Sequence, residues 1–114
     1  MSENILAIDQ GTTSSRAICF ASDGSVLASS QYEFRQLYPN DGWVEHAPGD
    51  ILDTTLKASR DVLQQLDNDD AVVGITNQRE TTLVWDRRTG EAIHNASVWQ
   101  DRRTADGCRR ISED

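Results

Sequence analysis

Residues 5–16, Ile5-Leu6-Ala7-Ile8-Asp9-Gln10-Gly11-Thr12-Thr13-Ser14-Ser15-Arg16, decide how the chain is built. Four apolar residues run without interruption and stop at a carboxylate, a glycine and a row of hydroxyl side chains. A short continuous apolar run of this kind suits a central strand covered on both faces, with polar chemistry at its C-terminal end. Working outward, Arg16 to Ala21 reads as a second strand and Val26 to Phe34 as a third. Asp23-Gly24 separates them, and that dipeptide tolerates the positive φ of a tight hairpin turn. The chain therefore opens with a three-stranded antiparallel meander.

Leu37 to Gly49 is rich in Pro, Gly, Asn and Asp and reads as a loop. Pro48 suits the first turn of a helix, where a missing N–H costs little. Ile51, Thr55, Ala58, Val62 and Leu66 then recur at helical spacing, with Leu52, Leu56, Ser59 and Leu63 beside them, which predicts a broad apolar face. Asp67 to Asp70 reads as a solvated loop, and Ala71-Val72-Val73-Gly74-Ile75 as another buried strand. A strand reached through a helix implies a parallel crossover. Thr81 to Trp85 and Ala92 to Trp99 predict further strands around a Thr89-Gly90 turn, and the polar stretch from Asp101 predicts a helix. Gly107 weakens that last helix by about 1 kcal/mol relative to Ala. The order is mixed α/β, with no internal repeat.

Composition bounds the function. The chain has 114 residues, and 11 Lys plus Arg against 19 Asp plus Glu give a net charge of −8. That balance argues against nucleic acid and against an anionic membrane surface, both of which need excess cations. A small phosphorylated ligand stays open, because backbone N–H groups and a metal ion can hold one locally. No apolar run approaches the roughly 18 residues needed to span a bilayer, and the N-terminus lacks a signal-peptide pattern. A cytoplasmic location is the expectation. Cys19 in a strand and Cys108 in a helix read as reduced thiols, and His46 and His94 as surface side chains too far apart for a local metal motif.

Three groups could carry chemistry. In Asp9 to Arg16, Gly11 permits close backbone approach, and Thr12, Thr13 and Ser14 offer hydroxyl and N–H donors to phosphate oxygens. Asp9 can bind Mg²⁺, and Arg16 can offset charge during phosphoryl transfer. The stretch is not a Walker A loop, having no Gly-Lys-Ser/Thr and no following helix. A plain hairpin, its hydroxyls satisfying its own backbone, is the alternative. In Asn77-Gln78-Arg79-Glu80-Thr81-Thr82, Arg79 offers a fork of donors and Glu80 two acceptors, a pair suited to a small polyol. Neighbours in a regular strand point to opposite faces, so both reach one ligand only where the chain bends; otherwise they are a surface pair. Trp43 and Trp99 could cover the carbon side of a polyol, while Trp85 reads as core. Arg87-Arg88, Arg102-Arg103 and Arg109-Arg110 lie among acidic residues and read as solvated, ion-paired surface.

Taken together, Asp9 to Arg16, Gly42-Trp43-Val44-Glu45-His46, Ile75 to Thr82 and Val98-Trp99-Gln100 resemble the amino-terminal part of the glycerol kinases, sugar kinases with the actin-like fold. The first block alone would also fit a nucleotide-binding chaperone, an actin-like module or another sugar or polyol kinase; the Arg79-Glu80 block is the more specific. The resemblance implies an incomplete ribonuclease H-like (actin-like ATPase) half-domain, with a mixed sheet, an antiparallel meander and a crossover helix. Residues 1–114 would be the amino-terminal part of the first domain, with the second domain absent. It implies that Thr12, Thr13, Ser14 and Arg16 contact the nucleotide phosphates, Thr12 also the product phosphate, and that Asp9 lies near Mg²⁺. It further implies that Arg79 and Glu80 bind glycerol hydroxyls and that Trp99 packs against the glycerol carbons. The implied reaction transfers the γ-phosphoryl group of ATP to glycerol, in an enzyme expected to be a homo-oligomer. The general-base Asp, a further glycerol-binding Tyr and the adenosine pocket are expected beyond Asp114, so this piece alone is expected to be inert. Ala47 departs from the Asp the family commonly places before the helix proline, which costs the helix start about 1 kcal/mol.

Overall fold

The computed structural model describes residues 3–66 and 71–113. Its elements are β1 (Asn4–Gln10), β2 (Ser14–Phe20), β3 (Val26–Glu33), β4 (Glu45–His46), α1 (Pro48–Gln64), β5 (Ala71–Asn77), β6 (Ala96–Ser97) and α2 (Ala105–Glu113). They fall into two compact units, one of Met1–Arg35 with Gly49–Gln78, the other of Gln36–Pro48 with Arg79–Asp114.

The first unit is a four-stranded sheet in the order β3-β2-β1-β5. β1 runs antiparallel to β2, and β2 to β3, so the meander is as expected. At its first turn Gly24 has φ 89°, and the Asp23 carboxylate accepts from both the N–H and the hydroxyl of Ser25. β5 pairs with β1 in parallel, from Asn4 opposite Ala71 to Gln10 opposite Asn77, which is the predicted crossover. One face of the sheet buries Leu6, Ala17, Cys19 and Ala28 against Ala58 and Val62 of α1. These positions alternate along the strands and recur at helical spacing along α1, so periods of two and 3.6 meet in one core. Burial raises the Cys19 thiol pKa, and Cys108 lies exposed on α2; both are free.

Three expectations about this unit are corrected. β1 is central in the sheet but not covered on both faces: Leu6 faces the core, while Ile5, on the other face, is 45% exposed. β5 is not buried: Val72, Val73 and Ile75 are all more than half exposed. The buried core draws on β1, β2, β3 and α1, and β5, at the edge, adds only Ala71 against it. The apolar face of α1 is also narrower than its leucines suggest, because Leu52 and Leu56 are exposed. At about 100° per residue both lie more than about 100° around the helix from Ala58. Asp67 to Asp70 lie outside the described residues.

In the second unit β4 pairs antiparallel with β6, Glu45 opposite Ser97 and His46 opposite Ala96. Isolated bridges join Leu37 to Glu45, Thr82 to Ser97 and Trp85 to Ala92. The stretch from 37 to 49 is thus not wholly a loop. The two strands predicted around Thr89-Gly90 are, beyond β6, single bridges flanking a turn. There Gly90 has φ 76° and the Asp86 carboxylate accepts from the N–H groups of Arg88 and Thr89. Trp85 is exposed rather than core, because its ladder is one bridge long and no second layer covers it among the described residues. His46 is fully buried rather than on the surface. Its Nε2 lies 2.7 Å from Gln36 Oε1, and desolvation lowers its pKa, so the neutral ring is favoured. The helix predicted from Asp101 begins at Ala105, after a turn.

Candidate functional site

The hydroxyl-rich turn of the first unit is held from both sides. Gly11 N–H donates to Ser14 O at 2.9 Å, closing the connection between β1 and β2. A Cβ on Gly11 would come within 3.1 Å of that oxygen, so a larger residue would require this backbone oxygen to shift. Beneath it Ser15 is fully buried, its Oγ 2.9 Å from Thr54 Oγ1 and accepting from Thr55 Oγ1 at 3.2 Å. The turn is therefore fastened to α1 by hydroxyl groups rather than by apolar packing. Phe34 N–H donates to Thr13 O, and Gln31 Nε2 donates to Ser14 Oγ at 2.7 Å.

Asp9 and Arg16 are partners in the β1–β2 register, on the face opposite Ser15, with 3.3 Å between Asp9 Oδ2 and Arg16 Nη2. Both side chains are nearly half exposed, so the pair is weak and readily exchanged for other partners. Asp9 near the end of β1, Thr12 and Thr13 in the connection, and Ser14 and Arg16 at the start of β2 thus stand on one hairpin. Among the described residues no three His, Cys, Asp or Glu side chains group to hold a metal. The donor set of Asp9 is one carboxylate beside a hydroxyl-rich turn, and Mg²⁺ usually takes one or two carboxylates together with substrate phosphates.

The second unit holds Arg79, Glu80 and Trp99. Glu80 has φ 67° and is the one described non-glycine residue with positive φ. This is the bend that lets neighbouring side chains leave the strand alternation, and strain of this kind gathers at functional sites. Immediately after it, Thr82 and Ser97 exchange two backbone hydrogen bonds of 2.9 Å. The same antiparallel register leads back to Glu80 on one segment and forward to Trp99 on the other. Trp99 N–H donates to Thr81 Oγ1 at 3.3 Å, and about half of Trp99 is exposed. Arg79, Glu80 and Trp99 therefore stand on adjoining segments of one small unit.

Sequence reading missed the ion network that follows Trp99 in the chain. Arg103 is ion-paired, as expected, but it is only 22% exposed and its partners are two buried carboxylates. Its Nε contacts both oxygens of Asp101, and its Nη2 donates at 2.7 Å to Asp101 Oδ2 and to Glu45 Oε2. The guanidinium also lies over the Trp43 ring, 3.8 Å from its centre. Both carboxylates are almost fully buried. Hydrogen bonding to Arg103, joined by the N–H of Val44, holds the Asp101 carboxyl at about 2. Arg103 first and Asn95 second lower that of Glu45, and the two carboxylates raise that of Arg103. A signal was available: Asp101 precedes Arg103 by two residues, and Glu45 sits in the same block as Trp43.

An antiparallel meander with a hydroxyl-rich β1–β2 turn, joined through a helix to a parallel strand, defines an incomplete half-domain of a ribonuclease H-like, actin-like ATPase fold of the sugar-kinase kind. Residues 4–114 match the N-terminal domain of the FGGY family of carbohydrate kinases, and the chain belongs to that family. It is 65% identical over 107 residues to a glycerol kinase of Rhodopirellula baltica, covering 91% of this chain and 20% of that protein. With a glycerol kinase of Rhodospirillum centenum it shares 62% identity over 113 residues, 96% of this chain and 23% of that one. Among solved structures, Plasmodium falciparum glycerol kinase with ADP superimposes with a TM-score of 0.91 at 31% identity, covering 99% of this chain and 23% of that one. Lactobacillus acidophilus gluconate kinase gives the same TM-score at 19% identity, a likeness of fold. The chain thus spans about a fifth of the length of these relatives. Among the described residues, no helix is long and apolar enough to cross a membrane.

Proposed function

We propose that this chain supplies the phosphate loop and part of the polyol site of an ATP-dependent glycerol kinase, which transfers the γ-phosphoryl group of ATP to glycerol and yields glycerol 3-phosphate and ADP. The observation that carries the reading is the bend at Glu80. It frees a donor fork and a carboxylate from strand alternation beside a half-exposed Trp99. The high identity to proteins named glycerol kinase supports the same substrate.

In this reading Arg79 donates to glycerol oxygens, Glu80 accepts from glycerol hydroxyls, and the Trp99 indole covers the carbon side. Thr12, Thr13 and Ser14 bind phosphate oxygens, and Thr12 stays with the phosphate as it becomes product. Because Ser14 Oγ accepts from Gln31, its own proton is available to a phosphate oxygen. Arg16 exchanges Asp9 for the charge of the nucleotide, and Asp9 then holds Mg²⁺. When bound, that ion neutralises charge on the phosphoryl oxygens. Alignment and charge compensation are what such a transfer requires of the protein. The chain alone is inert in this reading, since a positioned base is worth about 10²–10⁴-fold and the general-base Asp is expected beyond Asp114. The full-length enzyme is a cytoplasmic homo-oligomer.

The test is ADP release by a full-length kinase containing these 114 residues, assayed with glycerol, xylulose and gluconate. Glycerol should be the preferred acceptor, and Arg79→Ala should depress its kcat/KM about tenfold or more, as loss of a charge-assisted bond does. Unchanged glycerol kinetics in Arg79→Ala, or a preference for another acceptor, would overturn the assignment. ADP release by the 114-residue chain at the rate of the full enzyme would overturn its inertness.

A further inference from the structure

The buried ions of the second unit are more elaborate than a short hairpin needs. One guanidinium spans two nearly buried carboxylates and covers an indole, in a unit whose regular strands are two residues long. Removing charges from water is costly, and an apolar cluster of similar volume stabilises as well or better. What such a network adds is directional constraint, and here the constraint falls on one place. Asp101 N–H donates to Val98 O, closing a turn whose second residue is Trp99. The Asp101 carboxylate accepts from Val44 N–H at 2.7 Å, while Val98 N–H donates to Val44 O and Arg102 N–H to Gly42 O. Arg103 ties that carboxylate to Glu45, and Glu45 is held again by Asn95 and faced by His94 at 3.9 Å.

We propose that Arg103 is a positioning residue for polyol binding, holding the 98–101 turn against segment 42–45 so that the Trp99 indole is presented beside Glu80. The proposal rests on the glycerol-site reading above. Arg103 does not touch the substrate. Without its fork, Asp101 and Glu45 are two buried carboxylates with only neutral donors beside them, apart from the largely exposed His94. The carboxylate that pins Val44 then swings toward solvent, and the turn follows it. Lysine restores the charge but not the fork, because an ammonium cannot bind a carboxylate in the same planar, bidentate way. A displacement of about 1 Å at a positioning element can cost about 10²-fold in rate. Trp99 contributes covering contact rather than chemistry, so the loss should appear chiefly in the KM for glycerol.

The experiment is a double-mutant cycle in the full-length kinase carrying this chain, with Arg103→Lys and Trp99→Ala made singly and together. KM is measured for glycerol and for ATP. The expected result is a rise of about tenfold in the glycerol KM of Arg103→Lys, with the ATP KM changed less than about twofold. In the Trp99→Ala background the same change should alter the glycerol KM less than about twofold, because the group it positions is gone. If Trp99→Ala alone leaves the glycerol KM unchanged, the glycerol-site reading falls and this proposal with it. If Trp99→Ala raises that KM but Arg103→Lys does not, or acts equally in both backgrounds, or raises both KM values together, the positioning role alone is overturned. Should Arg103→Lys fail to fold, the same cycle with Glu45→Gln decides by the same criteria, since it loosens the fork from its far carboxylate.

Discussion

Replacing Glu80 by glycine and, separately, by alanine isolates a cost that the active-site reading requires the backbone to carry. At φ 67° an L-residue sits in the left-handed region, which costs roughly 1–2 kcal/mol per residue. Glycine removes that cost but gives back about 0.4–1 kcal/mol through the greater freedom of its unfolded chain. Alanine keeps the strain and, like glycine, lacks the carboxylate. Glu80→Gly should therefore be more stable than Glu80→Ala by about 1 kcal/mol, and at least as stable as the parent. Both should lose glycerol kcat/KM by about 10- to 100-fold, since a hydrogen bond to a charged group is worth roughly 1.5–3 kcal/mol. The assay pairs urea unfolding with ADP-coupled kinetics on the full-length kinase. Equal stability of the two variants, or a less stable glycine form, would show that the bend is relaxed. Glycerol kinetics in the glycine variant within about twofold of the parent would show that the carboxylate is not on the substrate.

Lowering the pH should release the Asp101–Arg103–Glu45 network. The folded Asp101 carboxyl lies at about 2, below its ordinary 3.8, so its contribution is complete above about pH 4 and is lost as pH falls toward 2. Glu45, also lowered, adds in the same direction; circular dichroism melts from about pH 6 to about pH 2 should show a flatter profile for Asp101→Asn than for the parent. Ala47→Ser or Ala47→Asp should stabilise the start of α1 by about 1 kcal/mol, read as a raised urea midpoint with an unchanged slope. Gly11→Ala should raise the KM for ATP while leaving that for glycerol nearly unchanged, because its Cβ meets Ser14 O at 3.1 Å and shifts that oxygen of the phosphate turn. Equal effects on both substrates would contradict that assignment.

The meander, the helix from Pro48, the parallel return and the class of turn after β1 were legible from residue order, because each rests on local chemistry. A short continuous apolar run, an Asp-Gly dipeptide, a proline at a helix start and a glycine beside hydroxyls act within a few residues, and the structure carries them all. The burial of β5 and of Trp85 was misread because apolar character says that a side chain would gain from cover, not that cover is there. His46 was misread in the opposite sense, and Arg103, ion-paired as expected, is less exposed than expected because its partners are buried. A polar residue enters the interior when partners meet it there, and those partners lie ten residues away for His46 and two and 58 for Arg103. Residue order alone therefore determined which groups are chemically able to hold phosphate and polyol. Only the tertiary structure decided which of them are braced, through the left-handed backbone at Glu80 and the buried ions around Arg103, because bracing depends on contacts between residues far apart in the chain.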